Sequence, residues 1–305
     1  MEAVAVGAAP AAARSGGRRS GGRHSGGRRR GTARKRQVRS PEGLLGDLTR
    51  GGTADPKEYT AAVANLGRAK LWQHALAVLP LMRTKQLAPN GIVWGAAITA
   101  CTRGLQWERA LHLFDDMGSN RLSPDVMVCN AAINACVKGE LWQRALALLR
   151  DLPEAALEAT VITYSSVISA CDRCLHWEYA LSLLREMCGA VLSPNVVTYS
   201  SAISACAKGP HWELTLELMQ ELRGRGLEPN IVTYGALLAA CHQGSQWETA
   251  LHLLRDMSQR GLDPNVVSCN AAISSCQKCQ RWEPILLLLE EMTSIGPSPD
   301  VISYN

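Results

Sequence analysis

Six cations recur at a single interval. Arg68, Arg103, Lys138, Arg173 and Lys208 are each 35 residues apart, Gln243 takes the next place, and Lys278 resumes the series. Cations repeated on one face of an extended protein suit a polyanion, each side chain neutralising one phosphate of a nucleic-acid backbone. The plainer use of such a column is to cap the carbonyl end of a helix. Acids follow at a fixed distance: Glu108, Glu178, Glu213, Glu248 and Glu283 each stand five residues after a column site. At the start of a helix they also suit its macrodipole.

Cysteine is the other reactive type, with eleven in the chain. Six of them, Cys101, Cys136, Cys171, Cys206, Cys241 and Cys276, keep the same step, where a small apolar side chain is wanted. Cys171-x-x-Cys174 and Cys276-x-x-Cys279 have the spacing of metal or redox pairs. Each only adds a second Cys to a column member, and a four-ligand zinc site needs two pairs that meet. Reduced thiols in a non-secreted compartment are the expectation. The histidines are scattered, and no metal-binding helix, nucleophile elbow or phosphate loop is found. The expected inventory is no catalytic residue, no metal and no cofactor, which is not that of an enzyme.

What positions these columns is an internal repeat. Trp72, Trp107, Trp142, Trp177, Trp212, Trp247 and Trp282 are spaced by 35, and only Trp94 lies off the series. Leu76, Leu111, Leu146, Leu181, Leu216, Leu251 and Leu286 follow in register, and Pro89, Pro124, Pro194, Pro229, Pro264 and Pro299 punctuate, with Ala159 the break. A fixed period of this size marks stacked copies of one supersecondary unit. Framed two residues after each proline, the copies are 56–90, 91–125, 126–160, 161–195, 196–230, 231–265 and 266–300; residues 301–305 begin an eighth.

Within 196–230, Tyr199, Ala202, Ile203 and Cys206 have helical spacing, and Gly209-Pro210 stops that helix. Trp212, Leu216, Met219 and Leu222 line a second helix, which Gly226 and Pro229 end. Each copy is thus an antiparallel helix pair whose apolar stripes are buried by stacking. The fold class expected is all-α, an α-solenoid with an extended concave surface. The tryptophans are expected to fill the joints between pairs. Pro153 is expected to interrupt the second helix of 126–160.

The stretch Val196-Val197-Thr198-Tyr199-Ser200-Ser201-Ala202-Ile203-Ser204-Ala205-Cys206-Ala207-Lys208-Gly209 resembles the first helix of a pentatricopeptide repeat, and Gly226-Leu227-Glu228-Pro229-Asn230 resembles its ending. The 35-residue period separates this family from the 34-residue tetratricopeptide repeats. Uniform copies resemble its P-class. Trp at position 17 of each copy departs from the family's usual Leu, and Ala159 and Thr160 depart from the usual proline and acid or amide.

The resemblance implies a right-handed superhelix that binds single-stranded RNA, one base per repeat. It implies that position 2 sandwiches a base: Ile92, Met127, Ile162, Val197, Val232, Val267 and Ile302, with Lys57 breaking the pattern in the first copy. Positions 5 and 35 would read the base edge. Position 5 is Thr60, Gly95, Asn130, Ser165, Ser200, Gly235, Asn270 and, in the eighth copy, Asn305. Position 35 is Asn90, Asp125, Thr160, Asn195, Asn230, Asn265 and Asp300. Asp only accepts, which suits the ring N–H of U or G; Asn also donates, which suits the bare ring nitrogen of A or C. The family associates Ser or Thr at position 5 with purines and Asn with pyrimidines. Read from the RNA 5′ end, the copies give A, unassigned, a pyrimidine, A, A, unassigned, U. The cation column, position 13, becomes the phosphate contact.

Residues 1–40 differ from the rest. They hold eleven Lys or Arg against the single acid Glu2, a net +10; since the whole chain is +5, the remainder carries −5. With almost no large apolar side chains, this leader is expected to be disordered. Its Arg-rich, acid-poor composition suits import into a mitochondrion or plastid. Its Ser-Gly-Gly-Arg runs also suit loose phosphate binding, the lesser reading, or the leader has no specific use; without import the protein would be cytoplasmic or nuclear. Residues 41–55 read as a connector, and no transmembrane helix is expected.

The function expected is organellar RNA processing, stabilisation or translation by a monomer, with protein processing factors as further partners and no membrane. Two rivals stand beside it. One is a helical scaffold for proteins. The other is the RNA-binding arm of an RNA-processing enzyme, because the chain stops five residues into a copy without a polar cap and reads as truncated.

Overall fold

The computed structural model describes residues 55–304 except Arg121, Pro210 and Ile295. The leader 1–40, the connector up to residue 54 and Asn305 lie outside the described residues.

Among the described residues there are fifteen α-helices and no strand. Eight open the copies: α1 Pro56–Arg68, α3 Gly91–Arg103, α5 Val126–Lys138, α7 Val161–Arg173, α9 Val196–Ala207, α11 Ile231–Gln243, α13 Val266–Lys278 and the short α15 Val301–Tyr304. Seven follow them: α2 Trp72–Thr84, α4 Trp107–Ser119, α6 Trp142–Glu154, α8 Trp177–Gly189, α10 Trp212–Gly224, α12 Trp247–Gln259 and α14 Trp282–Ser294. The fold is the all-α solenoid of helix pairs that the period implied.

The two helices of a copy start differently. From α3 onward, first helices are capped by the polar side chain at position 35 of the copy before, and α1 by Asp55; each accepts from a backbone N–H of the first turn. Second helices start at Trp, and among the described residues α2, α4, α6, α8, α10 and α12 have no side-chain cap. Their entry is set by the preceding turn, in which a left-handed residue follows the first helix: Lys70, Leu105, Glu140, Leu175, Ser245 and Gln280 all have φ between 55° and 64°. The residue after it donates back across the helix end, as Gln106 does to the Cys101 carbonyl at 2.9 Å, which satisfies carbonyls the helix leaves open.

First helices pack on one another from copy to copy, on their own second helix, and on the second helix of the copy before. Among the described residues, second helices do not pack closely on each other. The first helices are therefore buried on most sides. Where first helices meet, the groups are small: a Cβ on Gly67 would lie 2.9 Å from the Ala100 Cβ, and Ser169 lies 2.9 Å from Ser201.

The tryptophans sit at the joints. A Cβ on Gly104 would meet Trp72 at 2.4 Å, one on Gly139 would meet Trp107 at 2.6 Å, and one on Gly244 would meet Trp212 at 2.4 Å. The outer faces of the indoles are covered from the next copy as well, by the guanidinium of Arg109 at 4.4 Å from Trp72 and by His176 at 4.0 Å from Trp142. Trp282, followed only by the four-residue α15, is 66% exposed.

One expectation is corrected. Pro153 does not interrupt α6, which has the same 13 residues as its neighbours. It falls in the last turn, where a single i→i−4 bond is lost, and the end is closed instead by Ala156 and Leu157 donating to the carbonyls of Pro153 and Leu152.

Candidate nucleic-acid interface

Position 35 and position 3 of the next copy form the first layer of the site. Oδ1 of Asn90, Asp125, Asn195, Asn230 and Asn265 accepts from the backbone N–H of Val93, Val128, Thr198, Thr233 and Ser268, at 2.8–3.0 Å. Thr160 does the same for Thr163 through Oγ1 at 3.3 Å, so the family's usual acid or amide is replaced without loss of the cap. Because the backbone N–H requires an acceptor, the carboxamide orientation is set: oxygen into the helix, nitrogen outward. Nδ2 of Asn195 and of Asn230 has no partner among the described residues. The Asp residues use Oδ1 in the cap; Asp300 accepts from Ser303 N–H at 2.9 Å, and its carboxyl is held below the usual range, first by the Asn270 amide.

Position 5 is split. Ser165 and Ser200 are only 8% and 5% exposed, and each contacts a hydroxyl of the next copy, Thr198 and Thr233, at 2.7 Å. Asn270 instead donates directly to Asp300 at 3.0 Å and accepts from Ser303. Asn130 Oδ1 is buried and has no partner among the described residues. Gly95 is crowded, a Cβ there meeting Val128 Cγ2 at 2.7 Å, whereas Gly235 faces open space. The position 3 hydroxyls of Thr163, Thr198, Thr233, Ser268 and Ser303, which the sequence reading did not single out, hydrogen-bond to the position 35 side chain. Their signal was present in the sequence as a column of Thr and Ser at the same 35-residue step.

Position 2 stands at the rim. Ile92, Met127, Ile162, Val197, Val232, Val267 and Ile302 are exposed, from 57% at Val197 to 80% at Met127. These large apolar side chains are left in solvent while the position 3 residue beside each of them is buried. Lys57, at the same place in the first copy, is exposed too.

Position 13 is exposed at every cation, but the six are not alike. Arg173 donates to the Val137 carbonyl at 3.3 Å. Lys208 reaches the Asp172 carbonyl at 3.1 Å and its carboxylate at 2.9 Å. Lys278 reaches the carbonyls of His242 and Gln243 at 3.1 and 2.8 Å. These three cap the first helix of the preceding copy, the plainer of the two uses. Arg68, Arg103 and Lys138 make no such bond among the described residues.

Residues 2 and 13 of one helix are eleven apart, so they share a face about 16 Å long. Between them lie small side chains, such as Thr99 in α3 and Ser169 in α7. The structure gathers Thr60, Ile92, Gly95, Asp125, Arg68 and Arg103 around a concavity of about 290 Å³ that Met127 and Val128 of the third copy also line.

The cysteines lie elsewhere. The six column thiols are buried and free, and burial pushes them up, to about 12 at Cys171 and Cys206 and to about 11 at Cys101, Cys136 and Cys241. Cys174 and Cys279 take the place of the joint glycines, and each contacts a carbonyl of the preceding copy, Glu140 at 3.2 Å and Ser245 at 3.1 Å. Among the described residues no group of three or more His, Cys, Asp or Glu is arranged to hold a metal, and no helix is long and apolar enough to cross a membrane.

The sequence matches no curated protein. It is similar to solved structures. The pentatricopeptide repeat protein PPR10 from maize is 26% identical over 82% of this chain and 36% of its own, with a TM-score of 0.61. PPR10 in complex with an 18-nt psaJ RNA element is 24% identical over 87% and 38%, with a TM-score of 0.51. The PPR domain of Arabidopsis thaliana protein-only RNase P 1 in complex with tRNA is 13% identical over 64% and 95%, with a TM-score of 0.51, a likeness of fold. The present chain thus spans little more than a third of the PPR10 chain. The Pentatricopeptide repeat domain matches residues 77–139, 112–173, 217–278 and 252–305, and the PPR repeat family and PPR repeat match 160–208 and 197–227. With helix pairs, joints and caps repeating through the same residues, the chain belongs to the pentatricopeptide repeat family.

Proposed function

We propose that this protein binds single-stranded RNA sequence-specifically, one base per repeat, through the inner face of its first helices. What carries this reading is the coincidence, on one face, of an exposed apolar residue, an outward Asn nitrogen or Asp oxygen, and a cation. Position 2 side chains of adjacent copies clamp a base between them, since base faces stack on apolar surface whatever their sequence. The free end of position 35 meets the pairing edge. Nδ2 of Asn donates to the bare ring nitrogen of A or C, and the spare oxygen of Asp accepts the ring N–H of U or G. Arg68, Arg103 and Lys138 hold phosphates. The RNA complexes of PPR10 and of the RNase P domain support the same use of a similar fold.

The protein acts as a monomeric, non-catalytic binder in organellar RNA processing, stabilisation or translation, with protein processing factors as further partners. Residues 1–40 supply import. The test is binding of a labelled A-x-Y-A-A-x-U RNA against its duplex, the matching DNA and homopolymers. Preference for the single-stranded RNA is expected; equal binding to duplex overturns the reading. A reporter fused to residues 1–40 that stays outside mitochondria and plastids overturns the localisation.

A further inference from the structure

The base-reading end of two repeats is held by a third side chain, contributed by the copy that follows. In copy 196–230, Ser200 Oγ lies 2.7 Å from Thr233 Oγ1 and 2.7 Å from the Val196 carbonyl. Thr233 Oγ1 donates to Asn230 Oδ1 at 3.0 Å and accepts from the Asn230 backbone N–H at 3.4 Å. Copy 161–195 repeats the arrangement with Ser165, Thr198 and Asn195, at 2.7 and 3.0 Å.

Asn230 Oδ1 can only accept, and Thr233 Oγ1 donates its single proton to it. In that arrangement Thr233 offers Ser200 a lone pair, and the single Ser200 proton stays within the protein, on Thr233 or on the Val196 carbonyl. Ser200 has no proton left for a base, and at 5% exposure it offers little oxygen. Asn230 Oδ1 is closed by two donors, the Thr233 N–H and O–H. What remains for a ligand is Asn230 Nδ2, a donor in a fixed position.

We propose that Thr198 and Thr233 are specificity-determining positioning residues: each joins the buried Ser of the preceding copy to the Asn that caps its own helix and holds that Asn nitrogen toward the base. Ser165 and Ser200 act behind the Asn, through the threonine. The inference rests on the RNA reading above and deepens it. The same fold shows the relay absent: Val93 and Val128 occupy the threonine place, buried, with their N-caps intact at 3.0 and 2.8 Å. A valine is therefore compatible with the helix and its cap.

The experiment uses the full chain and two RNAs that differ only in A or G at the base facing Asn230, measured with wild type, Thr233→Val, Thr233→Ser and Ser200→Ala. Wild type is expected to favour A. Thr233→Val should lower that preference about three- to tenfold, the worth of roughly one net hydrogen bond. Thr233→Ser should restore it, and the preference at the base facing Asn195 should not move. Ser200→Ala, which leaves the cap untouched, should loosen the preference in the same direction. A wild-type ratio retained in both Thr233→Val and Ser200→Ala overturns the positioning role while leaving the RNA reading standing. Absence of any A-over-G preference in wild type overturns both.

Discussion

The indole of Trp212 occupies the space that a side chain on Gly244 would need: a Cβ there would lie 2.4 Å from Cδ1 and from Cγ. The pair joins two consecutive copies, and the same two positions meet as Trp72 with Gly104 and Trp107 with Gly139. Gly244→Ala is expected to destabilise the protein by about 1–3 kcal/mol, the usual cost of overpacking a filled site. Combined with Trp212→Leu, the loss from Gly244→Ala should largely vanish, because the smaller side chain leaves room. Chemical denaturation of the two single variants and the double variant measures the coupling; additivity would show that the indole is not what the alanine meets.

Asn230→Asp should change the base preference without disturbing the helix. Asp125 and Asp300 already cap their helices at 2.8 and 2.9 Å, so the cap survives. The outward atom changes from an N–H donor to an oxygen acceptor, so adenine loses a bond and guanine gains one. A swing from A toward G of about 1–3 kcal/mol is expected. Fluorescence anisotropy with RNAs differing at that base reads it, and a preference that stays on A would remove Asn230 from base reading.

The cations divide into two groups with different readouts. Changing Arg68, Arg103 and Lys138 together to Ala should lower the salt dependence of RNA binding by about 0.7 per phosphate contact, with little loss of thermal stability. Changing Arg173, Lys208 and Lys278 should lower Tm as well, because these side chains also cap the preceding helix. Binding isotherms across salt, paired with melting curves, separate the groups; an identical Tm for both triple variants would contradict the capping role.

The buried thiols predict alkaline lability. Cys171 and Cys206 are pushed up to about 12 and Cys101, Cys136 and Cys241 to about 11 in the fold by burial, from an ordinary 9.0. Above pH 9 the unfolded chain loses these protons first. Their contribution is whole below pH 9 and is lost as pH climbs toward 11–12. Denaturation midpoints should fall steeply over that range. At pH 8, a thiol reagent should reach Cys174, Cys188 and Cys279, the three that are only partly buried. Rapid modification of the column cysteines in the native protein would contradict their placement.

Much of this molecule is local, and local order is legible in a one-dimensional repeat. The 35-residue step of the tryptophans and prolines implied the helix pairs, because every copy makes the same contacts with its neighbours and a single unit repeated fixes the whole stack. Position 35 as the residue before each first helix followed from the same framing.

What the sequence could not tell is how one copy's side chains are used by the next. Ser165 and Ser200 read as free base contacts, yet the close packing of first helices buries them against Thr198 and Thr233 of the following copy. Arg173, Lys208 and Lys278 read as one column with Arg68, Arg103 and Lys138, yet three of the six are drawn onto carbonyls of the helix before. Gly95 and Gly235 read alike, yet Val128 crowds one, while a Cβ on the other would meet no described residue within 4 Å. Periodicity determines which residue types recur and on which helix face. Only the distance between neighbouring helices decides whether a polar group on that face is spent on the protein or left for a ligand, because a hydrogen bond is made within about 3 Å and not by residue type.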